Sequence, residues 1–111
     1  LIEVNIGGEA SKDGVAPEAT AALVEELGHC PALSIEGLMT MPPPGPNVES
    51  ARPFFRRTRE LLEGLRRSAP ANAPLTELSM GMSGDFAVAI EEGATMVRIG
   101  RALLGERPPR D

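Results

Sequence analysis

The sequence predicts an α/β protein of alternating strands and helices, and three observations predict it. Four short apolar runs recur along the 111 residues: "LIEVNI" (1–6), "LSIEGLMTM" (33–41), "LTELSM" (75–80) and "TMVRIG" (95–100). The segments between them place apolar residues three and four apart, the helical period. The runs themselves are nearly continuous in apolar character, as in parallel strands covered on both faces. A β-α repeat of this kind crosses over right-handed and builds a parallel sheet. Four units form either a small doubly wound sheet or half of a (β/α)8 barrel, which needs roughly 200–250 residues when whole. The chain opens inside a strand-like run without Met and closes on the polar "GERPPRD". The reading is therefore one partial domain, residues 1–111, forming the C-terminal half of a TIM-type barrel with four parallel strands and four helices.

Each element has a local reason. The run 1–6 is rich in β-branched residues and is stopped by Gly7-Gly8. Pro17 opens a helix to about Leu27, with Gly28 just past its end. The second strand is halted by "PPPGP". A longer helix over 48–68 carries Ala51, Phe54, Phe55, Leu61, Leu62 and Leu65 as one apolar stripe. After the third strand, 83–92 reads as a short helix with Gly93 at its end, and "RALLG" after the fourth strand reads as a final helical turn.

Composition narrows the function classes. A net charge of -5 argues against broad nucleic-acid binding. The basic cluster Arg52, Arg56, Arg57, Arg59, Arg66 and Arg67 shares its helix with Glu60 and Glu63 and reads as a solvated face of ion pairs. The single Cys30 closes no internal disulfide and builds no cysteine zinc site, which suits a reducing, cytoplasmic setting. No run approaches the roughly 18 apolar residues of a membrane span. Half a barrel leaves two open sheet edges, so self-association, or pairing with the missing N-terminal half, is expected.

The candidate site lies in "LSMGMSGDFAVAIEEGATMVRIG" (78–100). In a barrel, function sits at the C-terminal ends of the strands, and a phosphate site is often built from the loops after strands 7 and 8. In the last half of a barrel, "SMGMS" follows strand 7 and "RIGRA" follows strand 8. Ser83 is then expected to cap a helix starting near Gly84 and to offer its N–H groups to an anion. Gly81, Gly84 and Gly100 allow close backbone approach, and the N–H groups of Gly100 and Arg101 can close on the same oxygens. Asp85 is expected to point away. On spacing alone, ordinary caps and turns explain the same residues. Neither GxxxxGK[ST] nor GxGxxG is present.

Three stretches, "EVNIGGEASKDGV", "IEGLMTMPPP" and "LSMGMSGDFAVAIEEGATMVRIGRALLG", resemble the pyridoxal phosphate homeostasis proteins, which share the barrel of the alanine racemase N-terminal domain. The resemblance runs from Leu1 to about Arg107. It implies a barrel that binds pyridoxal 5'-phosphate (PLP) and serves vitamin B6 and amino- and keto-acid balance as a carrier or regulator, with no established turnover. By position it implies Ser79, Ser83, Gly100 and Arg101 at the phosphate, Arg98 at the pyridine nitrogen, and a Schiff-base lysine upstream of Leu1. Many members have Thr where this chain has Arg101, which removes a hydroxyl but keeps the backbone N–H.

Other residues invite weaker readings. Lys12, the only lysine, sits in the Gly-flanked "SKDGV" and reads as a solvated loop charge rather than a cofactor attachment point. His29 reads as a helix-terminal residue and Cys30 as a small buried filler. Met39, Met41, Met80, Met82 and Met96 read as core or pocket packing, with Met82 able to touch the cofactor. Asn5 ends the first strand and could face the mouth. The competing function is a PLP-dependent amino-acid racemase. That chemistry needs a second base opposite the lysine, a Tyr in alanine racemase, and this chain has no Tyr. An always-charged Arg98 at the ring nitrogen also weakens the cofactor as an electron sink. A phosphate-binding half-barrel with no activity is the third possibility.

Overall fold

The computed structural model of the chain describes residues 1–9 and 13–100. Lys12, Arg101 and the expected turn "RALLG" lie outside the described residues. Strands β1 (Ile2–Val4), β2 (Gly37–Thr40), β3 (Glu77–Met82) and β4 (Met96–Arg98) alternate with helices α1 (Thr20–Leu27), α2 (Arg52–Arg66) and α3 (Phe86–Glu91). A 3-10 turn leads into each of the first two helices, Pro17–Ala19 and Val48–Ala51.

The strands form one sheet in the order β1-β2-β3-β4, every pair parallel. Sequential order with helical crossovers is the arrangement of four consecutive units of a (β/α)8 barrel. Register places Ile2, Leu38 and Leu78 side by side on one face. With Val4, Met80 and the helix residues Val24, Phe55, Leu62, Leu65, Val88 and Ala89 they form the buried core. The buried Thr40 hydroxyl donates to the Val4 carbonyl at 3.1 Å, stitching β1 to β2. Glu3, Met39, Ser79 and Met96 share the opposite face. Met96 is exposed on that face.

Several boundaries differ from those expected. All four strands are shorter than their apolar runs or displaced along them. The third begins at Glu77 rather than residue 75 and continues through Gly81 to Met82. The third helix starts at Phe86, not near Gly84, and Asp85 rather than Ser83 takes the N-cap position. The reason is local: the Asp85 carboxylate accepts the Met82 backbone N–H at 2.7 Å and closes a turn over 83–85 before the helix can begin. Cys30 is exposed, not buried, because it belongs to the turn after α1, where its N–H bonds to the Leu27 carbonyl. Met80 is fully buried, whereas Met41, Met82 and Met96 are exposed. No helix among the described residues is long and apolar enough to cross a membrane.

The basic face of α2 is more than a solvated surface. Arg59 pairs with Glu63 on its own helix at 3.8 Å, but Arg52, Arg56 and Arg59 also converge on Glu92, at 2.8, 3.3 and 3.7 Å. The Glu92 side chain is only 7% exposed. Hydrogen bonds from Arg56 and then Arg52 hold its carboxyl below the ordinary glutamate value of 4.5. Arg52 does the same to Glu49. A group whose folded pKa is depressed stabilises the fold fully above its unfolded pKa and loses that contribution as pH falls through the folded value. The melting temperature should therefore hold steady above about pH 4.5 and fall below it. Glu92→Gln should melt lower than wild type at pH 7, and the gap should narrow toward pH 3. A gap that stays constant with pH would show that Glu92 acts by packing alone.

Candidate functional site

The C-terminal ends of β3 and β4 enclose a pocket of about 440 Å³, lined by Met82, Ser83, Gly84, Asp85, Arg98 and Gly100. Four of the residues expected at the site from sequence, Met82, Ser83, Arg98 and Gly100, meet there. Ser79 does not line the pocket. Arg101 lies outside the described residues. Asp85, expected to turn away, lines the pocket while its carboxylate is engaged by the Met82 N–H.

A bulge shapes this end of the sheet. Ser79 pairs with Met96 and Met82 with Arg98, so three steps on β3 oppose two on β4. Gly81 sits in this irregular stretch at φ 103°, a conformation L side chains rarely adopt. A Cβ there would also lie 2.6 Å from that of Ala89. The bulge adds a residue to β3 just before Met82 and the pocket loop.

Arg98 is fixed by oxygens rather than by a counter-ion. Its Nη1 donates to the Ser79 hydroxyl at 2.7 Å and to the Ser79 carbonyl at 3.3 Å, and its Nη2 donates to the Thr40 carbonyl at 2.9 Å. The guanidinium thus reaches across β3 to β2. No carboxylate among the described residues pairs with it, unlike Arg52, Arg56 and Arg59. Arg98 is thus a partly buried cation with no carboxylate partner among the described residues, and it lines the pocket with Ser83 and Gly100. Gly100 adds room: a Cβ built on it meets no atom of the described residues within 4 Å.

The other singled-out residues lie elsewhere. Asn5 does not offer its amide to this pocket. Its Nδ2 donates to the Glu9 carbonyl at 2.7 Å and its Oδ1 accepts the Glu9 N–H at 3.2 Å, which pins the loop after β1. His29 is exposed in the turn after α1. Among the described residues no group of three or more His, Cys, Asp or Glu could hold a metal ion. Sequence reasoning missed the Thr40 carbonyl. No residue-type signal could have found it, since a backbone acceptor on β2 carries none.

Fold and pocket together define a class: a β/α-barrel protein with a pocket where the last two of these strands end. The chain belongs to the alanine racemase N-terminal domain family, whose model matches residues 1–108. It is 55% identical over 107 residues to the pyridoxal phosphate homeostasis protein of Aquifex aeolicus, covering 96% of this chain and 46% of that one. To the human protein of the same name it is 41% identical over 109 residues, covering 96% and 40%. The chain thus spans about half the length of the curated relatives it matches. Among solved structures it resembles PipY of Synechococcus elongatus. The form without PLP gives a TM-score of 0.84 at 35% identity, covering 94% of this chain and 48% of that one. The form with PLP bound gives 0.77 at 33% identity, covering 93% and 49%.

Proposed function

We propose that this chain supplies the phosphate and ring-nitrogen side of a PLP site in a protein of vitamin B6 homeostasis. The segment that its relatives carry beyond the matched half supplies the rest of the barrel and the lysine. The observation that carries this reading is the pocket where the Arg98 guanidinium, with no carboxylate partner among the described residues, converges with Ser83 and Gly100. The residues fit the group. The phosphate suits the small-residue end, at Ser83, Gly84 and Gly100, where the space a Cβ on Gly100 would take is open. The pyridine nitrogen suits Arg98, whose planar guanidinium presents N–H donors in a fixed fork. Bound PLP would supply an aldehyde that condenses with amines. With PLP bound, Arg98 would donate a hydrogen bond to an unprotonated ring nitrogen and so would disfavour the electron sink that fast carbanion chemistry needs. Carriage and regulation follow more naturally from that arrangement than racemisation.

Ser83→Ala tests the phosphate assignment. In the full-length protein PLP affinity should fall about tenfold, the worth of one charge-assisted hydrogen bond. Affinity for pyridoxal, which lacks the phosphate, should change less than about twofold. Equal losses for both ligands would mean that Ser83 only shapes the turn, where removal of a hydroxyl costs about 1 kcal/mol of stability.

A further inference from the structure

The clamp on Arg98 gives Ser79 a different role from the one its position in the family resemblance implies. We propose that Ser79 is a positioning residue for Arg98 and contributes no ligand to the phosphate. Its hydroxyl holds the guanidinium over β3 so that the remaining N–H groups face the pocket. The inference rests on the reading of the pocket as a PLP site.

Three observations support it. Ser79 is 5% exposed and absent from the pocket wall, so an anion there has no access to its hydroxyl. That hydroxyl already accepts the shortest of Arg98's three hydrogen bonds, at 2.7 Å. The other two acceptors, the Ser79 and Thr40 carbonyls, belong to backbone that the sheet holds in place. These bonds occupy Nη1 and one hydrogen of Nη2. Nε–H and the second Nη2 hydrogen have no acceptor among the described residues. A guanidinium gripped along one edge by three neutral oxygens keeps its full charge and a fixed plane. That is what a directed contact to a ring nitrogen requires, and a carboxylate partner would have cancelled the charge. Without the hydroxyl, the longest of the three bonds, 3.3 Å to the Ser79 carbonyl, is all that remains on Nη1.

The experiment compares wild type, Ser79→Ala and Ser79→Thr as full-length proteins, with two readouts. In the cofactor-free proteins, arginine side-chain nitrogen NMR should show Arg98 with hindered rotation in wild type. It should show averaged signals in Ser79→Ala and hindered rotation again in Ser79→Thr, which keeps the oxygen. With PLP added, Ser79→Ala should keep the wild-type preference for PLP over pyridoxal within about twofold. The pH at which the bound cofactor's absorbance changes should rise by at least about half a unit, because a cation that withdraws from the ring nitrogen lets it protonate more readily. A selective tenfold loss of PLP affinity would make Ser79 a phosphate ligand and overturn the proposal. Unchanged Arg98 signals, or an unmoved pH profile, would overturn it too. If wild type shows no preference for PLP, the reading of the pocket fails and the proposal falls with it.

Discussion

Gly37→Ala is expected to destabilise the full-length protein by about 3 kcal/mol or more, a large effect for one added methyl group. Gly37 opens β2 and pairs with Glu77 of β3. A Cβ on it would overlap the Glu77 carbonyl oxygen and lie 2.6 Å from the carbonyl carbon. The obstacle is backbone, so no side-chain rotation relieves it. The strand that would have to move carries Ser79 two residues on, and Glu77 itself donates its N–H to the Glu36 carbonyl at 2.9 Å. Relief therefore requires the β2–β3 ladder to part where it starts. Urea unfolding would measure the loss. A change below about 1 kcal/mol would mean that the two strands lie further apart than the structure places them.

Gly100→Val is expected to do the opposite: leave the fold intact and lower PLP affinity about a hundredfold. A Cβ at Gly100 meets no atom of the described residues within 4 Å, so stability should stay within about 0.5 kcal/mol of wild type. The same side chain would occupy the wall of the pocket that Ser83 and Gly84 share. It would hold a phosphate away from the backbone N–H groups around it. Loss of two charge-assisted hydrogen bonds of about 1.5 kcal/mol each corresponds to that hundredfold change. Thermal melting and a PLP titration on the same sample separate the two effects.

The alternation of strands and helices is legible in the sequence because four apolar runs and the stripe of Phe55, Leu62 and Leu65 record burial directly. The boundaries are less legible where a side chain competes with the backbone. Asp85 takes the Met82 N–H and delays α3 until Phe86, so a helix start at Ser83 is too early. Gly81 reads as the end of a strand, yet its positive φ carries β3 on through a bulge. At the site, spacing alone leaves Ser83 and Gly100 open to a reading as ordinary turn residues, and it is the resemblance of "SMGMS" and "RIG" to the family that singles them out. The Arg98 clamp does not, since its acceptors lie 19 and 58 residues away in the chain. The grip on Glu92 is hidden for the same reason. "EEG" reads as an ordinary helix end, and the arginines that bury its charge sit on a different helix. Gly37 looks like one more residue of an apolar run. Only the pairing with β3 shows why it has no side chain.

The measurement that bears most directly on the phosphate pocket is the ratio of PLP to pyridoxal affinity, taken by titration in wild type and Gly100→Val. Anchoring of the phosphate at Ser83, Gly84 and Gly100 predicts a wild-type ratio of about a hundred or more that drops to within a few-fold of one in the variant. A ratio that is the same in both proteins would place the phosphate elsewhere and contradict the account.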